Sequence, residues 1–194
     1  MIAALILAAG RGTRMRGIDK LLEPVDGQPL LRQQVEIAQH ACDLVVVMVP
    51  QDGHPRAQAL AGTNAQCIAV QDPLGGLGDS LRDGVAALPE VTGFFVVLSD
   101  MPDITKDEYN LVAQTLGHKQ IVRPLTASGA AGHPIYFDAI VRPEFAFLSG
   151  DTGAQSIIAR DSSRVGYVQQ NDNRARRDLD TPEDWAAWRR ETGR

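Results

Sequence analysis

Cysteine is scarce: the 194 residues hold two, Cys42 and Cys67. No CxxC or HExxH occurs, so the sequence offers no zinc finger, no thioredoxin-like pair and no zinc-protease helix. Both cysteines have apolar flanks and read as small, reduced core residues. An excess of positive charge is also missing. Lys and Arg number 19 against 24 Asp and Glu, a formal net charge of −5. Long-range attraction to nucleic acid or to an anionic membrane is not expected of such a chain. Any anionic ligand must be held by a local cluster of cations. No apolar run approaches the roughly 18 residues of a membrane span. The opening MIAALILAA resembles a signal h-region, but no basic segment precedes it and RGTRMR is a poor cleavage site. The expectation is a cytoplasmic protein without nucleic-acid or membrane partners. There is no internal repeat, low-complexity tract or Pro/Ser-rich linker, so residues 1–194 read as a single domain.

What is present is ordinary for a globular chain: 44% hydrophobic and 22% charged residues. Short apolar runs alternate with helical patterns. Ala3–Leu7, Leu44–Val49, Cys67–Val70, Phe94–Leu98, Ile121–Val122, Ile135–Phe137 and Val165–Val168 read as strands. Helices are expected over Pro29–Ala41, His54–Ala61, Asp79–Leu88, Lys106–Leu116 and Thr152–Ala159. A last helix should open at Thr181-Pro182, with Thr105 and Thr181 as N-caps. Strands alternating with helices imply an α/β fold, a mostly parallel twisted sheet with helical layers on both faces. Ligands are then expected at the carboxyl ends of the strands.

Five stretches break this regularity. After the first strand, Ala8 to Gln28 is far longer than a plain turn. It carries Arg11, Arg14, Arg16 and Lys20 among Gly10, Gly12 and Gly17, which suits backbone N–H groups cradling phosphates. It is no Walker A loop, because Ile18 and Asp19 stand where Lys and Ser/Thr are needed. It is no dinucleotide fingerprint either, because Met15 replaces the third glycine. After FFVVL come Ser99, Asp100, Met101 and Pro102, with a carboxylate at the mouth of a buried strand, where Mg²⁺ and a substrate phosphate can meet. In PLGGLGDSL, Gly78 and Ser80 open a helix and leave room for a base and ribose. GAAGHP places His133 between Gly132 and Pro134, and GDTG holds Asp151 at a polar helix entry. In DLD, extended backbone would put Asp178 and Asp180 on one face, either one a candidate second metal ligand. Arg174, Arg176 and Arg177 read as a solvated run, and Trp185 with Trp188 as packing.

In this order, LAAGRGTRMRGIDKLL, GLGDSL, LSDMP, RPLTASGAAGHPIYF, GDTGA and DLDTPED resemble the MobA-like nucleotidyltransferases, and within them the molybdenum cofactor cytidylyltransferases. Thr13, Arg16, Leu77 and Gln155 depart from that pattern: Thr13 replaces a common Ser, Arg16 a Gly, Leu77 a Met and Gln155 an Arg. The resemblance implies the Rossmann-like fold of nucleotide-diphospho-sugar transferases. It implies Mg²⁺-dependent transfer of a cytidylyl group from CTP to molybdopterin. Leu7, Ala8, Ala9, Gly10, Gly12, Gly78 and Ser80 would then bind the nucleotide. Arg14, Lys20 and Asp100 would be catalytic, with Asp100 and Asp178 or Asp180 as metal ligands. Gly132, His133, Pro134 and Asp151 would face the acceptor. A molybdoenzyme or its chaperone would be a partner. The alternatives are transfer from another NTP or to another small phosphate or sugar phosphate, and a non-catalytic protein that delivers a nucleotide or cofactor.

Overall fold

The computed structural model describes residues 1–194. Its core is a seven-stranded sheet. Strands β1 (Ile2–Leu7), β4 (Leu44–Val49) and β6 (Gly93–Leu98) form the buried centre, with β5 (Gln66–Ala69) beyond β4. On the other side follow β8 (Ile135–Asp138), β7 (Ile121–Leu125) and β9 (Val165–Gln169). The order is β5-β4-β1-β6-β8-β7-β9, and all pairings are parallel except those of β8, which runs antiparallel to both β6 and β7. The segment MIAALILAA thus supplies an interior strand, with Ala3 through Ile6 fully buried. Continuous β-branched and aromatic runs suit strands covered on both faces. No helix is long and apolar enough to cross a membrane.

Alternate side chains of these strands feed two cores. On one face Leu5, Met48, Phe94 and Phe137 meet α3 (Leu77–Ala87) and α5 (Gln155–Arg160). On the other, Ile6, Val47, Phe95 and Tyr136 meet α1 (Leu30–Ala41) and α4 (Lys106–Ala113). Thr105 caps α4, as the sequence predicts, and Glu108 closes a capping box. A third, smaller core joins Met15, Val25, Leu30 and Leu179 to Trp185 and Trp188 of α6 (Pro182–Thr192). It clamps the long loop after β1 against the C-terminal helix, and so fixes the loop that the cations occupy.

Several boundaries move. The loop after β1 is not open chain throughout: it contains a 3-10 turn at Thr13–Met15 and a small hairpin of β2 (Pro24–Val25) and β3 (Gln28–Pro29). Pro29 therefore sits at the N-cap of α1 rather than in its first turn. Helix α3 opens at Leu77, two residues before Asp79, because the Asp79 carboxylate accepts from the Gly76 N–H and so acts at N3. The short helix α2 spans only Pro55–Gln58. Cys67 is exposed rather than a core residue, because β5 is a short edge strand, while Cys42 is half-buried and its thiol is pushed up to about 12 by burial. Arg177 is not merely solvated. It pairs with Glu191 at 2.9 Å and Asp103 at 3.3 Å, and Asp103 also accepts from the Trp188 indole at 2.8 Å.

Candidate active site

The carboxyl ends of β1 and β6 lie side by side. The Ser99 hydroxyl donates to the Leu7 carbonyl at 2.6 Å, which fixes the turn after β6 against the loop after β1. Leu179 N–H donates to the Asp100 carbonyl at 3.1 Å, which brings DLD to the same point. Leu179 buries into the tryptophan core, and the two acids of DLD do not share a face: Asp180 lines the cleft, and Asp178 is exposed and outside it.

The cleft has a volume of about 500 Å³. Its floor is Leu7, Ala9, Gly10 and Gly12. One wall carries Arg14, Lys20, Asp100 and Asp180, and the other Gly75, Gly76, Ser80 and Asp151. The Lys20 ammonium lies 2.7 Å from Asp100 Oδ2 and 2.7 Å from Asp180 Oδ1. Arg14 Nη1 reaches Asp180 Oδ2 at 2.7 Å from the solvent side. Burial opposes the Lys20 charge, but the two carboxylates outweigh it and hold its pKa above the usual lysine value, so it is an ammonium at any neutral pH. Asp100 Oδ1 is buried and meets no partner. That orphaned oxygen, beside a second carboxylate, fits a hard divalent cation at Asp100 and Asp180, since such ions take oxygen ligands and leave positions to phosphate and water.

The loop itself is prepared for anions. The backbone N–H groups of Ala9, Gly10, Arg11 and Gly12 donate to nothing within the chain. Its carbonyls are held instead. Arg56, 4% exposed, donates from Nη1 to the Ala8 carbonyl at 2.5 Å and the Gly10 carbonyl at 2.7 Å. From Nε it donates to Asp19 Oδ2 at 2.7 Å. Sequence reasoning missed Arg56, since it lies in an unremarkable short helix on another segment, in the polar stretch QDGHPRAQ, where nothing local marks it. Ala8 is accordingly a buried support beneath the cleft, and Gly78 lies behind it.

Gly76 and Gly78 have a packing role. A Cβ on Gly76 would meet the Gly150 carbonyl oxygen at 2.1 Å, and one on Gly78 the Thr152 carbonyl oxygen at 2.6 Å. Asp79 clips the same contact by accepting from the Gly150 N–H at 2.8 Å. The GLGD and GDTG stretches are therefore one structural unit, and it sets Asp151 at the cleft. Arg16 occupies the left-handed region, φ +54°, where the resembling pattern has glycine. Its guanidinium pairs with Glu183 at 2.6 Å. The departure puts a side chain on a left-handed turn residue and adds a tie to α6. It also takes Arg16 out of the cleft.

Gly132, His133 and Pro134 do not line this cleft. They stand next door, where β8 enters beside the end of β6: His133 N–H donates to the Ala175 carbonyl at 2.8 Å, and Ile135 pairs with Val96. The His133 imidazole is held at about 4, by burial first and then by Arg123, with the Val96 backbone and Arg176 acting more weakly in opposite senses.

The sequence matches the family described as the MobA-like NTP transferase domain over residues 4–165. The chain belongs to this family. Among its curated relatives is the bifunctional protein GlmU of Sphingopyxis alaskensis, 28% identical over 142 residues, or 72% of this chain and 31% of that one. The chain thus spans about a third of the length of that relative. Among solved structures, Rv0371c from Mycobacterium tuberculosis H37Rv superposes with a TM-score of 0.80 at 26% identity, covering 96% of both chains. A complex of the same protein with manganese superposes with a TM-score of 0.77 at 25% identity, again covering 96% of both. A MobA-like NTP transferase fold follows from this membership.

Proposed function

We propose that residues 1–194 form one cytoplasmic cytidylyltransferase domain, moving the CMP group of CTP onto the phosphate of molybdopterin and releasing pyrophosphate. The observation that carries the reading is the Lys20 ammonium held by Asp100 and Asp180 at the edge of a loop whose four N–H groups are free. An oxygen of the acceptor phosphate attacks the α-phosphorus, and the bond from that phosphorus to the bridging oxygen breaks as pyrophosphate leaves. The attacking oxygen is already ionised near neutral pH, so no general base is required. The protein's work is positioning and charge neutralisation.

Each residue has a part in this. The N–H groups of Ala9 to Gly12 bind the triphosphate. Arg14 and Lys20 neutralise the β- and γ-phosphates and the leaving group. Gly75, Gly76 and Ser80 bound the space for base and ribose, while Asp151, with Gly132, His133 and Pro134 next door, faces the acceptor. Asp100 and Asp180 would hold Mg²⁺, which when bound supplies charge neutralisation at the reacting phosphate. Asp180 is preferred to Asp178 because it shares Lys20 with Asp100 and lines the cleft. The manganese complex of Rv0371c supports a divalent cation in a site of this fold.

The test is pyrophosphate release with ATP, CTP, GTP and UTP, with and without Mg²⁺, using molybdopterin as acceptor. Mg²⁺-dependent turnover with CTP is the expected result. Asp100→Asn and Asp180→Asn should lower kcat by about 10² to 10³, the loss of a well-placed charge contact, and Asp178→Asn by little. Turnover with a different base overturns the CTP assignment alone. Full turnover in Asp100→Asn overturns the site.

A further inference from the structure

Arg123 carries a charge that nothing in the chain answers. Its side chain is buried, 6% exposed, on β7. Its Nε donates to the Gly132 carbonyl at 3.1 Å and its Nη1 to the Gln155 amide oxygen at 3.4 Å, both neutral groups. Nη2 has no partner, and no carboxylate lies within ion-pairing distance. Every other arginine of comparable burial is paired: Arg56 with Asp19 and Arg164 with Glu144. A second arginine adds to the imbalance. Arg176 is bonded only to the Ala131 carbonyl, at 3.0 Å, and the two guanidiniums repel across the Ala131–His133 turn. Beside them lies His133, whose Nδ1 is enclosed and unpartnered. A buried, unpaired cation is strongly disfavoured unless something else supplies the anion.

We propose that Arg123 and Arg176 form a receptor for a phosphate-class oxyanion of the acceptor, separate from the loop that takes the nucleotide's phosphates, with His133 Nδ1 left to accept an N–H or O–H of the same molecule. The guanidinium fork suits two parallel bonds to an oxyanion. Gln155 is exposed, and its neutral amide, bonded weakly to Nη1, leaves the charge unanswered and Nη2 free. Calling the ligand the acceptor rests on the nucleotidyltransferase reading. The oxyanion site itself does not.

The probe is inorganic phosphate, titrated while the Arg123 Nε–H resonance is followed by NMR. In the wild type that resonance should shift and saturate. Gln155→Glu places a carboxylate beside the fork from an exposed position, so it should weaken this phosphate response at least tenfold. Gln155→Ala should stay within about threefold of wild type. A parallel titration with CTP and Mg²⁺ should give equal affinity in all three proteins. An unresponsive Arg123 resonance, or equal phosphate affinity in Gln155→Glu and wild type, overturns the receptor and leaves the nucleotide reading standing. A missing CTP response with an intact Arg123 response overturns the nucleotide reading and leaves the receptor.

Discussion

Replacing Arg56 by Met tests whether the phosphate loop is held from beneath. The methionine keeps most of the aliphatic stem, so little packing is lost, but three contacts disappear: Asp19 at 2.7 Å, and the carbonyls of Ala8 at 2.5 Å and Gly10 at 2.7 Å. No other donor reaches either carbonyl. A hydrogen bond to a charged group contributes about 1.5–3 kcal/mol, and breaking a buried ion pair costs about 3–5 kcal/mol. The Asp19 side chain is 23% exposed, so water recovers part of its share. The expected loss is therefore about 3–5 kcal/mol in total rather than the sum of the separate bonds. For a chain of this size that corresponds to a fall in Tm of roughly 10–15 °C. Urea denaturation reads the stability. Equilibrium binding of CTP with Mg²⁺, measured well below the new Tm, reads the loop, and affinity should drop at least tenfold as the N–H groups lose their fixed direction. Arg56→Lys keeps the charge but not the fork, and should fall between the two. A variant Arg56→Met within about 1 kcal/mol of wild type that binds CTP equally well would refute the reasoning.

Other expectations follow from single contacts. His133 is held at about 4 in the folded chain and has an ordinary value near 6.5 when unfolded, so the unfolded state binds more protons between those values. Its contribution is present above about pH 6.5 and is lost as pH falls toward 4. Between pH 7.5 and 5 the wild type should lose about 2 kcal/mol more than His133→Gln in parallel urea titrations; equal losses would refute the assignment. Gly78→Ala drives a Cβ against backbone oxygen and should destabilise by about 1–3 kcal/mol. Gly10→Ala has open space around it, so calorimetry should find Tm unchanged while the affinity for CTP falls. A Gly10→Ala variant that binds CTP like wild type would show that the ligand does not approach the loop closely there.

The sheet was legible because its strands are unusual in composition. LVVVMV and FFVVL admit little but buried strand, and the match to Leu44–Val49 is complete. Helix starts were legible where a cap had a mechanism, as at Thr105 and Thr181. The antiparallel direction of β8 was not. Three residues of apolar pattern carry no sense of direction, and what sets it is the turn at Ala131–Pro134, bonded to Pro124 on β7 and to Ala175 far along the chain. Cys67 failed for a related reason: apolar neighbours signal a strand but not whether that strand lies at an edge.

The site divides along the same line. Arg14, Lys20 and Asp100 lie close to glycine-rich or strand-end patterns, and local sequence finds them. The choice between Asp178 and Asp180 depends on which of them meets Lys20 and Arg14, residues far away in sequence. Arg56 has no local signature, and Arg123 opens the RPLTASGAAGHPIYF stretch without anything there to show that it is unpaired. Each is recognised only by what surrounds it: Arg56 because two loop carbonyls have no other donor, Arg123 because it has no acid. The same buried guanidinium therefore supports opposite conclusions. With its carboxylate and carbonyls in place, Arg56 is a strut inside the protein. With only neutral acceptors and a free Nη2, Arg123 faces a partner that the chain does not contain. Charge neutralisation within the fold, residue by residue, is the observation that separates structural arginines from ligand-binding ones here, and it requires the tertiary structure.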